Sequence, residues 1–89
     1  MAKINLPQQL VRFVDGEIVE IDVPTVGEFF AEFIKRYPTL EQRLIKQDGS
    51  FNVFVNIYVN DEDIRFLNGK NTVLKKTDEI TVVPSTAGG

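Results

Sequence analysis

Polar and apolar residues alternate along several short stretches of the chain and recur at helical spacing along another. AKINLP, from Ala2 to Pro7, sets Ile4 and Leu6 against Lys3 and Asn5, the period expected of a strand with one buried face. Pro7 interrupts it. After LVRFV, the pair Asp15-Gly16 supplies the positive φ angles of a tight hairpin turn, and EIVEIDV then aligns Val19, Ile21 and Val23 on one side. These segments predict a β-hairpin with an irregular stretch between Pro7 and Phe13. Thr25 and Glu28 have capping-box spacing: the threonine hydroxyl accepts the amide of residue 28, and the glutamate reaches back to the amide of residue 25. A helix is expected from there. Its apolar residues Val26, Phe29, Phe30, Phe33, Ile34 and Tyr37 form one wide stripe, and Pro38 disfavours continuation. Core packing accounts for that stripe without invoking a ligand site. Thr39 and Gln42 are spaced to cap a second, short helix through Leu44 and Ile45.

QDGSF reads as a turn, and VFVNIYVN carries the strongest strand pattern in the chain. Its alternation puts Val53, Val55, Ile57 and Val59 on one face, toward the helix, and Phe54, Asn56, Tyr58 and Asn60 on the other. NDED then leads to a short expected strand IRF, the turn-rich LNGKN, and DEITVVP, in which Ile80 and Val82 point inward and Thr81 and Val83 outward. Two strands, a crossing helix and a returning set of strands describe an α+β domain. The order matches the ubiquitin-like β-grasp, a mixed four- to five-stranded sheet with one main helix packed on one face and a short second helix. Fold alone assigns no function.

Composition narrows the chemistry. The 89 residues suit one domain, predicted over 1–84, and no apolar run approaches the roughly 18 residues of a membrane span. MAKINLPQQ lacks the charged flank and apolar stretch of a signal peptide, so a cytoplasmic location is expected, with no membrane partner. Net charge is −3 and the basic residues are scattered, which argues against a nucleic-acid surface. With no cysteine and no histidine, the chain lacks thiolate ligands and nucleophiles, the commonest general base and the commonest transition-metal ligand. The acidic run Asp61, Glu62 and Asp63 lacks the glycine and distal glutamate of a calcium loop, so it reads as a solvated hairpin turn and no metal is expected. Phe54 and Tyr58 admit two readings. Aromatics are ordinary strand formers, yet a pair on the outer face of a sheet, beside asparagines, Arg65 and Val83, also has the composition of an interface centre with a polar rim.

The ending VVPSTAGG is different in kind. Fraying or a trimmed end would produce such a tail without purpose. Its physical properties suit another use. The five residues after Pro84, expected to form a flexible C-terminal tail over 85–89, extend to ~17 Å at about 3.3 Å each, and Ala87, Gly88 and Gly89 present almost no lateral bulk. A narrow channel in a partner would admit them while the folded domain docks outside. A carboxylate resists nucleophiles until its oxygen becomes a good leaving group, and adenylation by ATP achieves that. Such chemistry asks nothing of this chain except reach and thinness.

FVNIYVNDEDIRF, Phe54 to Phe66, together with ITVVPSTAGG, resembles the ubiquitin-like sulfur-carrier family, nearest to the CysO type of cysteine biosynthesis. More loosely, the whole chain, including TVGEFFAEFIKRYPTL, resembles the small subunit of molybdopterin synthase and the ThiS carriers of thiamine synthesis. The resemblance implies that the chain is not itself an enzyme but a protein cosubstrate. Gly89 would be adenylated by a ubiquitin-activating-type enzyme using ATP and converted to a thiocarboxylate. Gly88 and Ala87 would thread the channel, Thr86, Ser85 and Pro84 would set the reach, and Phe54, Tyr58 and Val83 would dock. The acceptor would be a pyridoxal-phosphate cysteine synthase or the large subunit of molybdopterin synthase, and no cofactor would be bound by this chain. Two other readings remain open: a protein modifier joined to lysine amines, and a plain interaction domain with an incidental ending.

Overall fold

The computed structural model describes residues 1–84; residues 85–89, where the expected tail falls, lie outside the described residues. Five strands form one mixed sheet in the order β2-β1-β5-β3-β4. β1 (Ala2–Asn5) pairs antiparallel with β2 (Val19–Ile21) and parallel with β5 (Glu79–Pro84). β5 pairs antiparallel with β3 (Val55–Val59), which in turn holds the two-residue β4 (Glu62–Asp63). The last strand of the chain thus occupies the centre of the sheet. Alternation dictates its faces: Ile80 and Val82 are buried, Thr81 is partly exposed and Val83 is exposed.

Helix α2 (Val26–Arg36), the principal helix, covers the inner face. Phe29 and Phe33 are fully buried, and Phe30 stands edge-on to Phe33 and to Phe51, with centroids 6.2 and 5.0 Å away. Edge-to-face contacts of this kind add roughly 0.5–1.5 kcal/mol each beyond area burial. The cap forms in part as expected. The Glu28 amide donates to Thr25 Oγ1 at 3.3 Å, but the Thr25 hydroxyl donates to the Glu28 carboxylate at 3.1 Å, so the glutamate meets the side chain rather than the amide of residue 25.

Several local expectations are corrected. Asp15 and Gly16 do take positive φ, 55° and 73°, yet they do not form a tight hairpin turn. The connection between β1 and β2 coils into α1 (Gln8–Val11) and a 3-10 turn (Arg12–Val14), and Asp15-Gly16 stops that coil, their amides donating to Arg12 and Val11 carbonyls. Leu10 and Val14 explain the coil: four residues apart, they reach the core together only on a helical turn. The second helix is a 3-10 turn (Pro38–Leu40) followed by α3 (Glu41–Leu44), with no side-chain cap from Thr39; Pro38 opens the coil, where its missing N–H costs nothing. Ile45 is extended and bridges Phe51.

The strongest strand starts two residues late. Val53 and Phe54 lie in a turn built on Asn52, whose side-chain oxygen accepts the Phe54 amide at 3.0 Å and whose carbonyl accepts the Val55 amide at 3.1 Å. Val53 is therefore 66% exposed instead of facing the helix. IRF is a 3-10 turn (Ile64–Phe66), not a strand, because Asp63 accepts the Arg65 amide and curls the backbone, burying Ile64.

Candidate functional site at the end of the central strand

β5 is held by β1 only as far as Thr81, which lies beside Asn5, and by β3 as far as Pro84, which lies opposite Val55. β5 therefore ends at Pro84, the last described residue, as a strand anchored through the middle of the sheet. Two flanking strands and two buried side chains, Ile80 and Val82, fix the direction of β5 up to that residue.

The register places the other candidates around it. Val83, 37% exposed, stands opposite Asn56 on the outer face, and Tyr58, partly exposed, stands opposite Thr81. Phe54, 58% exposed, lies in the turn one residue beyond the Val55–Pro84 pair. Phe54, Val83 and Pro84 thus share one end of the sheet, with Tyr58 further along β3. Across the same face, Asn5 Nδ2 donates to the Glu79 carboxylate at 2.6 Å and Lys3 Nζ lies 3.8 Å from it, a polar border beside the apolar residues. Val53 adds an exposed apolar neighbour to Phe54 in sequence. Reading the strand as unbroken from residue 53 hid it; Asn52 was the available signal, since asparagine often bonds the backbone two residues on.

Behind the 51–55 turn, a shallow groove of about 300 Å³ is lined by Val53, Asn56, Asp63 and Arg65 among others. The acidic run is split at its wall. Asp61 and Glu62 are exposed, as a solvated turn requires, whereas Asp63 is only 7% exposed. Both Asp63 oxygens accept from the Arg65 guanidinium, at 3.1, 3.1 and 2.7 Å, and Oδ1 also accepts the Arg65 amide at 2.8 Å. Those bonds hold the Asp63 carboxyl below its ordinary value against the opposing effect of burial, and raise the Arg65 guanidinium. Asp63 is therefore a structural acceptor. Among the described residues no acidic cluster is arranged to hold a metal ion, and no helix is long and apolar enough to cross a membrane.

Comparison with known proteins decides the family. The sequence signature of the ThiS family matches residues 4–89. This chain belongs to the ThiS family. The sulfur carrier protein CysO of Mycobacterium tuberculosis is 39% identical over 89 residues, covering 97% of this chain and 96% of its own length. A chain of the Amycolatopsis orientalis BexX/CysO complex superposes on the whole of this one with a TM-score of 0.86 at 34% identity, each covered completely. Small archaeal modifier protein 3 of Haloferax volcanii is 35% identical over 68 residues, 76% of this chain and 73% of its own length. The fold is the β-grasp of these ubiquitin-like sulfur carriers, and the likeness to CysO runs through the first half of the chain as well as the second.

Proposed function

We propose that the chain is a sulfur carrier of the CysO type, whose terminal Gly89 is activated and loaded by other enzymes. The observation that carries this reading is the family match through residue 89 together with a central strand that ends at Pro84, directly ahead of those last residues in sequence, in a chain without cysteine or histidine of its own. In the first step a Gly89 carboxylate oxygen attacks the α-phosphorus of ATP on a ubiquitin-activating-type enzyme, releasing pyrophosphate. A sulfide equivalent then adds to the acyl carbon and AMP leaves, producing the thiocarboxylate. Cysteine biosynthesis, with a pyridoxal-phosphate synthase as acceptor, is the pathway favoured by the CysO likeness.

Within this reading, Gly88 and Ala87 pass the channel because they lack bulk, and Thr86, Ser85 and Pro84 supply distance. Phe54, Val83 and Tyr58 form the docking face, supported by their full or partial exposure on the strands that hold Pro84 and in the adjoining turn. The test is intact-mass analysis of the untagged protein isolated from its native host. A fraction heavier by the oxygen-to-sulfur difference, or by one cysteine residue, is expected; a single unmodified species under sulfur-assimilating growth overturns the reading. The archaeal relative favours a second use, conjugation of the same activated end to lysine amines. That use predicts a ladder of higher-mass conjugates in extracts probed for this protein.

A further inference from the structure

Arg12 and Phe13 lie in the 3-10 turn that follows α1, and Arg43 lies in α3. Both guanidinium groups sit on the same ring. Arg12 Cζ is 5.0 Å and Arg43 Cζ 4.8 Å from the Phe13 centroid. The two cations are therefore within about 10 Å of each other, roughly one Debye length at moderate salt, so their mutual repulsion is weak but grows as salt is lowered. The face of the aromatic ring attracts each of them and holds them there. Both arginines are exposed and Phe13 is half-buried. The ion pairs among the described residues join Lys3 to Glu79, Arg36 to Glu32 and Arg65 to Asp63, and include neither Arg12 nor Arg43. One arginine is enough to shield the ring; the second adds repulsion that an anion from outside would relieve.

Topology decides where this pair stands. β1 and β5 run parallel with Asn5 beside Thr81, so the connection that follows Asn5 leaves from the end of the sheet at which β5 finishes at Pro84. We propose that Arg12 and Arg43, clamped on Phe13, are a cationic docking point for a carboxylate-bearing surface on the enzyme that activates the chain's end. This rests on the carrier reading given above. Five residues reach up to ~17 Å, so when the tail is extended its root stays at the mouth of the partner's channel while the nucleotide lies at the floor. At the mouth the arginines meet protein side chains, not nucleotide phosphates. The chain's net charge of −3 opposes approach to an acidic surface, and a local pair of fixed cations reverses that opposition at one point and sets orientation.

The test compares the full chain with the double variant Arg12→Gln/Arg43→Gln as substrates of the ubiquitin-activating-type enzyme encoded in the same genome, followed by pyrophosphate release. The expected result is a KM higher on the order of ten-fold with kcat unchanged, a weaker dependence of KM on salt, and recovery by Arg12→Lys/Arg43→Lys. Equal KM and equal salt dependence for the wild-type and double-variant chains overturn the docking point and leave the carrier function standing. Failure of the wild-type chain to be adenylated removes both. A separate titration follows the Arg12 and Arg43 side-chain N–H resonances with hexaglutamate and with inorganic phosphate. Saturable shifts with hexaglutamate support a carboxylate partner; a response to phosphate alone overturns it.

Discussion

Asp63 sits in a run that reads as a solvated acidic turn, and its neighbours Asp61 and Glu62 behave that way. Register separates them. Pairing with Tyr58 brings Asp63 beside the groove, where its carboxylate caps the following turn and takes the Arg65 fork. Replacing it by alanine removes a cap and a charged acceptor together, so we expect a loss of about 1–2 kcal/mol in urea unfolding. Its folded carboxyl lies below the ordinary value of 3.8. The stability it contributes is accordingly complete above the unfolded carboxyl's range and is lost as pH falls through that value to the depressed folded one. Acid unfolding of Asp63→Asn should show a flatter limb in that window than the parent. Phe54 poses the opposite case, an apolar residue held outward by the Asn52 turn. Phe54→Ser should change stability by less than about 0.5 kcal/mol and weaken capture by the activating enzyme by roughly 1–2 kcal/mol, read by calorimetry. Equal affinity would exclude Phe54 from the docking face.

At the scale of elements, α2 carries the greatest share of aromatic burial. Phe33→Ala would leave a cavity beneath the sheet costing about 3–5 kcal/mol, a large part of the ~5–15 kcal/mol that holds a small domain folded. A steep fall in melting temperature by circular dichroism checks this. Gly27 in its first turn is held by a neighbouring element: an added Cβ would meet Lys70 Cβ and the Lys70 carbonyl oxygen, each at 3.2 Å. The gain of roughly 0.5–1 kcal/mol usual for glycine to alanine in a helix should therefore vanish in Gly27→Ala, as a melt comparison would show. The stripe of α2 was legible because helical spacing repeats over eleven residues. The short coils were not. A two-turn connection such as 8–14, or the curl at 64–66, has too few residues for a period to register, and its shape follows from which side chains find room in a core built by other elements.

Seen whole, the molecule separates holding from reacting. The sheet and α2 form the handle, and the proposed chemistry is assigned to Gly89, outside the described residues. Deleting Gly89, or replacing Gly88 by tryptophan, should abolish adenylation while the melting temperature stays within about 2–4 °C, the shift expected of a change of less than ~0.5 kcal/mol in a domain of this size. Pyrophosphate release beside a thermal melt checks both halves of that statement.

Sequence alone determined the class of the fold, the inner faces of α2 and β5 and the lack of thiol and imidazole side chains, because these rest on periodicities and residue types carried locally, and its segments FVNIYVNDEDIRF and ITVVPSTAGG carried the resemblance to the family. Tertiary structure decided what depends on residues distant in sequence. It decided that the last strand lies between the first and the third, that Asp63 is buried while Asp61 is not, that Phe54 projects from a turn beside Pro84, and that Arg12 and Arg43 meet on one ring. Contacts across such separations are chosen by the packing of the whole core, and no local pattern encodes them.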